Sequence, residues 1–366
     1  MGPFVRALHR LNHLISQSRS EDGQKRLRPS VRAPIKRLVR KVLAKIRRSA
    51  MKKFRLVTRS DFDGLVCAVL LKHLDMIDDI KFVHPKDMQD GKVEITANDV
   101  TTNLPYVASA HIVFDHHESE AMRNGTCQKN YVIDSEADSA ARIVWRHYGG
   151  HEAFPKNWDD MMSAVDKADS AQFTMDEVLE PKNWELLNML MDSRTGLGRF
   201  REFRISNYEL MMQLIDYCRE ATIEEILALP DVVERVDLYE AHKADFEEQL
   251  KRCSTVYDNL VVLDLRNEDV IHPGSRFAIY AMFPQCNISI HQMWGLKKQN
   301  TVFATGKSIF DRSCVTNVGE LMLAYGGGGH AAAGTCQVAV EKSDAALEAL
   351  ISQINEEHAS GMKKAS

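Results

Sequence analysis

Apolar and polar positions follow a regular rhythm only after about residue 50. From Phe54, "FRLVTR" reads as a strand, and after a turn at Asp61–Gly64 "LVCAVLLKHLDM" reads as a helix. "KFVHP", "VEITAND", "HIVFDHH" and "NYVID" read as further extended pieces. "DSAARIVWRHYGG" reads as a helix with Asp138 or Ser139 as N-cap and glycines past its end. This alternation predicts an α/β fold built on a parallel sheet covered on both faces. From about Trp158 to Tyr257 the pattern is mainly helical and interrupted at Pro230, as suits a bridge with solvated faces. "LVVLDLR", "RFAIYAMFP", "NISIHQMW" and "TVFATGKS" then restore β character, and "NVGELMLAYGGGGH" adds a helix ending in glycines. The expected division is a first domain at 51–195, a helical linker at 196–257 and a second, smaller α/β domain at 258–358.

Composition adjusts this picture at one end. The 366 residues are 44% hydrophobic and 27% charged, enough for two real cores. The longest apolar run near any motif, Leu65 to Leu71, is far short of the ~20 residues of a membrane span, so no membrane partner is expected. Seven cysteines lie scattered without a CxxC pair. That usage suggests reduced thiols and a cytoplasmic location instead of a disulfide framework or zinc site. The net charge of −4 conceals a split, because residues 1–50 hold 14 of the 47 basic residues beside only Glu21 and Asp22. Such a leader reads as a basic arm for nucleic acid, an Arg-rich presequence, or a disordered extension ahead of Met51. The disordered extension is the favoured reading.

The candidate chemistry sits where strands end. Open α/β sheets bind ligands at the carboxyl ends of their strands. The first strand runs into Asp61, Asp63 and a turn-permitting Gly64, the third into Asp99, and the fourth into Asp115, His116 and His117. "MMSAVDKADSAQF" adds Asp166 and Asp169, which share one face if helical. Each alone reads equally well as a cap or a solvated polar residue. Gathered together they would repel without a cation among them. Carboxylates with imidazole and no thiolate suit Mn²⁺ or Mg²⁺. The run "AYGGGGHAAAG" carries more glycine than a helix stop needs and is expected to form an anion nest of backbone N–H groups.

Taken in order, "DFDG" (61–64), Asp99, "DHH" (115–117), "DKADSAQF" (166–173) and "GGGGHAAAG" (326–334) resemble the DHH/DHHA1 phosphoesterases over nearly all of residues 51–340. The resemblance implies a parallel-sheet DHH domain with a two-manganese centre, and a DHHA1 domain that grips substrate. Carried over, Asp61 and Asp63 each hold one ion and Asp99 bridges them. His116 and Asp169 complete the second ion's ligands, Asp115 orients the DHH turn, and His117 stands near the scissile phosphate. Asp166 becomes an outer support. Arg312, Ser313, Gly327, Gly328, Gly329 and His330 become substrate contacts. One departure stands out: family members commonly place a histidine just upstream of the first aspartate, where this chain has Val57, Thr58, Arg59 and Ser60. The first ion is then held more loosely, and Arg59 is free to contact a substrate phosphate. The expected activity is metal-activated hydrolysis of short oligonucleotides or related nucleotides. Terminal cleavage of polyphosphate is the alternative, and a non-catalytic nucleotide sensor is the alternative of another class. A homodimer is compatible with the sequence.

Overall fold

The computed structural model describes residues 52–365, so the expectation about the basic leader lies outside the described residues. Both sheets belong to one compact unit, Lys53–Ser366. The chain begins with β1 (Phe54–Arg59), α1 (Phe62–His73), β2 (Ile77–Val83), α2 (Pro85–Gln89), β3 (Asp99–Thr102), β4 (Ile112–Asp115), α3 (Glu118–Asn124) and β5 (Tyr131–Ile133). These strands form a parallel sheet in the order β2-β1-β3-β4-β5. The order reverses direction between β1 and β3, and the crevice beyond the carboxyl ends there is the place such sheets offer a ligand.

Helix α1 is apolar all round, and every residue from Phe62 to Leu71 is buried. It is therefore a central helix, packed between the sheet and α4 (Ala140–His147), α5 (Asp159–Asp169), α7 (Asn183–Met191) and α8 (Asn207–Glu220), with α6 (Met175–Leu179) toward the second sheet. The opposite face of the parallel sheet is closed by a thinner cluster that includes Val57, Val83, Met88, Ile95, Leu104 and Val113. Ser139, not Asp138, caps α4, its Oγ accepting from the Arg142 amide at 3.0 Å. Pro230 does not interrupt a helix. After the short α9 (Ile223–Leu227) it opens α10 (Pro230–Cys253), where a missing N–H costs nothing.

The second sheet contains β6 (Ser254–Tyr257), β7 (Leu260–Asp264), β8 (Ile288–Trp294), β9 (Asn300–Lys307), β10 (Gly328–His330) and β11 (Ala333–Ala339), in the order β10-β11-β9-β8-β7-β6. Only β7 and β8 are parallel among its pairs. Residues of β7 alternate between two cores. Leu260 and Val262 face α12 (Val318–Ala324) and α13 (Ser343–Ala365), whereas Val261 and Leu263 face Leu250 of α10 and Ile279 of α11 (Ala278–Met282). "RFAIYAMFP", expected as a strand, thus carries the helix α11. Among the described residues no helix is long and apolar enough to cross a membrane.

Candidate active site

The site lies beyond the carboxyl ends of β1, β3 and β4. Gly64 lets α1 start against β1, since a Cβ there would come within 2.0 Å of the Arg59 carbonyl oxygen. This tight junction puts Asp61 at the N-cap of α1, its Oδ1 accepting from the Gly64 amide at 3.0 Å. Asp63, one residue into the helix, is 2% exposed. Its Oδ2 accepts from the Ala140 amide at 3.0 Å and its Oδ1 from the Ala141 amide at 2.7 Å. A carboxylate at a helix N-terminus meets both unpaired amides and the positive end of the helix dipole. Asp166 fixes that terminus: its Oδ1 accepts from Ser139 Oγ at 2.7 Å, and its Oδ2 accepts from Arg142 Nε at 2.8 Å and also from Arg142 Nη2. Asp166 therefore supports Asp63 through α4.

Asp63, His116 and Asp169 offer ligand atoms that all lie within 4.8 Å of one another. His116 Nδ1 stands 3.2 Å from the Ala137 carbonyl oxygen, which can only accept, so this nitrogen carries the hydrogen. The buried Nε2 makes no hydrogen bond of proper geometry, although Asp169 Oδ2 is 2.7 Å away. A lone pair facing a carboxylate at that distance requires a proton or a cation between them. Burial opposes charge on His116, but Asp169 outweighs it and raises the imidazole to about 9. Burial, then the charge of Asp169, holds the Asp63 carboxyl well above its ordinary range. A divalent ion relieves both strains by taking the proton's place. The residues fit one ion, with the ring orientation secured from its far nitrogen.

Beside this triad sits an independent dyad. His117 Nδ1 is 2.7 Å from Oδ1 of the fully buried Asp115, whose Oδ2 accepts from the Tyr131 hydroxyl at 3.3 Å. The carboxylate fixes the His117 tautomer with the hydrogen on Nδ1, and the side chain is 38% exposed.

A solved pGpG-specific phosphodiesterase from Vibrio cholerae, PggH, is 66% identical, and the match covers 83% of this chain and all of that one with a TM-score of 0.75. The chain belongs to the DHH/DHHA1 phosphoesterase family. RecJ of Thermus thermophilus in complex with Mn²⁺ also matches, at 14% identity over 86% of this chain and 54% of that one, with a TM-score of 0.47. No family model and no curated protein sequence matches.

As a DHH/DHHA1 member the chain departs from the expected ligand set in one respect. Asp99 is not in the site. The third strand starts at Asp99 instead of ending there, and the carboxylate is 1% exposed at the amino end of the sheet. It accepts from Arg55 Nε at 2.7 Å, Arg55 Nη2 at 3.0 Å, the Thr96 amide at 2.7 Å and Thr96 Oγ1 at 3.0 Å. Those donors hold its pKa below the ordinary carboxylate value against the opposing effect of burial. The carboxyl end of β3 carries Asn103, whose Nδ2 donates to Asp61 Oδ1 at 3.2 Å and Oδ2 at 3.4 Å. Arg59 Nε adds an ion pair to Asp61 Oδ2 at 2.9 Å.

The second DHHA1 expectation also changes form. Gly328–His330 pairs with β11 as an edge strand, so these glycines make an extended hairpin, not an anion nest. A Cβ at Gly329 would come within 2.3 Å of the Ala333 carbonyl oxygen, and one at Gly327 within 2.0 Å of that of Thr335. The glycines permit close strand approach. His330 Nδ1 accepts from the Ala332 amide at 3.2 Å. Desolvation, followed by the charges of His117, Arg276 and Arg59, pushes the His330 pKa down. Arg312 Nη2 donates to the Ala171 carbonyl oxygen at 3.2 Å and so ties the lobes, and Ser313 Oγ accepts from Asn287 Nδ2 at 2.9 Å.

Two arginines outside the motifs, Arg194 and Arg276, add positive charge. Arg194 pairs with Asp192 at 2.7 Å and feels the charges of Asp61 and Asp169. Arg276 stacks on Phe277 at 4.4 Å, and its buried Nε–H has no partner among the described residues. Burial and Arg194 lower it to about 10. An unpaired buried guanidinium donor beside an acidic centre is a natural phosphate contact. A separate cavity of about 620 Å³, lined by Asp176, Glu177, Glu180, Glu185 and Glu247 with Lys182 and Lys251, holds none of these residues.

Proposed function

We propose that this chain is a Mn²⁺-dependent phosphodiesterase that cleaves a linear 5′-phosphorylated dinucleotide of the pGpG class into two mononucleotides. The observation that carries the reading is the abutment of an ion-holding triad and a separate proton-carrying dyad on consecutive histidines. The identity to a pGpG-specific phosphodiesterase supports the substrate class. In this reading the first sheet with its helices, residues 51–195, carries the chemistry, 196–257 links, and 258–358 grips the substrate.

A divalent ion held by Asp63, His116 and Asp169 supplies Lewis acidity and an acidified water. The bond between phosphorus and the 3′ oxygen breaks as water oxygen bonds to phosphorus. The new 5′-phosphate keeps that oxygen, and the departing 3′ oxygen takes one proton. His117 is the group for that proton, delivered from Nε2 while Asp115 holds Nδ1–H. Arg276 and Arg194 supply positive charge, and with the neutral His330 they supply donors, for the non-bridging oxygens and the terminal 5′-phosphate. The edge hairpin Gly328–His330 lets backbone approach the substrate closely.

The test is a panel of pGpG, other dinucleotides, longer oligonucleotides, cyclic dinucleotides and polyphosphate, each with Mn²⁺, read by chromatography of released mononucleotide or phosphate. Conversion of pGpG to two equivalents of GMP is expected. Phosphate release from polyphosphate with intact pGpG would transfer the protein to the polyphosphate reading, and stoichiometric nucleotide binding without turnover to the sensor reading.

A further inference from the structure

The residues around Asp61 do not fit a second ion. We infer that this enzyme works with a single divalent ion, held by Asp63, His116 and Asp169, and that the Arg59 guanidinium takes the place of the other cation of the family's two-ion centre. The inference rests on the phosphodiesterase reading for the substrate and on the geometry around Asp61 for the count.

Both oxygens of Asp61 already face donors. Oδ1 receives the Gly64 amide at 3.0 Å and Asn103 Nδ2 at 3.2 Å, and Oδ2 receives the same Asn103 nitrogen at 3.4 Å and is ion-paired with Arg59 Nε at 2.9 Å. A second ion would need further anionic or lone-pair ligands. Asp99 is four residues up the chain from Asn103, about 13 Å at the rise of a strand, and is committed to Arg55. At the carboxyl end of β3 stands a neutral amide in place of a carboxylate: its N–H₂ donates to Asp61 and its buried Oδ1 has no partner among the described residues. The further ligand on offer is thus an uncharged oxygen next to a guanidinium 2.9 Å from Asp61, and no imidazole lies among Val57, Thr58, Arg59 and Ser60. A guanidinium is always charged, and one held in an ion pair with Asp61 at 2.9 Å keeps N–H groups for a phosphoryl oxygen. Arg59 therefore supplies fixed positive charge to the phosphate where a second ion would have stood, and Asp61 and Asn103 position it.

The experiment strips the full-length protein of metal, reloads it with Mn²⁺ and counts bound ions by elemental analysis and by low-temperature electron paramagnetic resonance. The count uses His242→Ala as the parent. His242, Asp245 and His272 form another cluster able to hold an ion, with ligand atoms within 4.8 Å of one another, and would otherwise confuse the total. One ion per chain with an isolated six-line spectrum is expected. Asp61→Asn, which keeps an N-cap, should retain that ion, and Asp63→Asn should lose it. Arg59→Ala should keep the ion while kcat on pGpG falls about 100-fold, the size of one transition-state donor. Two ions per chain with a spin-coupled spectrum, or loss of an ion in Asp61→Asn, would overturn the inference. One ion in the His242→Ala parent, with a wild-type chain that leaves every phosphodiester intact, would remove the functional reading and leave the count standing.

Discussion

Asp166 touches neither the ion ligands nor the substrate, yet Asp166→Ala should weaken ion binding. The carboxylate holds Ser139 Oγ and the Arg142 guanidinium, and so fixes the first turn of α4. That turn presents the Ala140 and Ala141 amides to Asp63 at 3.0 and 2.7 Å. Removing an outer partner of a metal ligand costs roughly 10- to 100-fold in affinity, which corresponds to about 1.4–2.8 kcal/mol. The global cost is separate: hydrogen bonds to a charged group contribute about 1.5–3 kcal/mol. Because the Arg142 and Asp166 side chains are 20% and 15% exposed, solvent screening puts the loss toward the lower end of that range. Calorimetric titration of Mn²⁺ into the folded variant, with urea unfolding of the metal-free protein, separates the two. Asp166→Asn keeps an acceptor for Ser139 Oγ and should recover part of the affinity but little of the Arg142 contact. Wild-type Mn²⁺ affinity in a destabilised Asp166→Ala protein would refute the chain of support from Asp166 through α4 to Asp63.

Four further substitutions separate chemistry, structural support and substrate approach. His117→Ala should reduce kcat by about 10²- to 10⁴-fold, the range for a positioned acid–base group, with Mn²⁺ binding unchanged in the same titration. Asp99→Asn should destabilise the fold by about 1.5–3 kcal/mol in urea unfolding, since it weakens the hydrogen bonds of a buried carboxylate to the half-buried Arg55. The folded fraction should keep its ion and its kcat/KM, and loss of the ion would return Asp99 to the metal centre. Gly329→Ala forces a Cβ to within 2.3 Å of the Ala333 carbonyl oxygen and should raise KM for pGpG at least tenfold by opening the β10–β11 hairpin. Gly328→Ala meets nothing within 4 Å and should change stability by no more than about 0.5 kcal/mol.

The architecture was legible because its cores obey simple periods. The first strand, the buried helix after it and the strand ending at Asp115 all stand where the apolar pattern puts them. The segment 277–283 misled because "FAIYAMF" is apolar in nearly every position. A short buried helix and a buried strand look alike under that condition. The packing of Ile279 and Tyr280 beneath β7 and β8 decides for helix.

The site was half legible, and the error has one cause. "VEITAND" offers an alternation ending in an acid, whereas the real strand is the four-residue "DVTT", buried throughout and without periodicity. Reading the strand too early moved Asp99 from the amino end of the sheet to its functional end and hid Asn103. A signal for the correct register was present: Asn103 precedes Leu104–Pro105 and adopts φ 54°, a left-handed conformation that asparagine tolerates at a strand exit. Because side chains at the carboxyl end of a parallel sheet converge and those at the amino end do not, a slip of four residues exchanges a ligand for a structural anchor. The same slip concealed that the acid cluster is smaller than its motif suggests. Asp63, His116 and Asp169 bring ligand atoms within 4.8 Å of one another, whereas Asp61 is paired with Arg59, whose charge opposes the burial that holds the Asp61 carboxyl above its ordinary range.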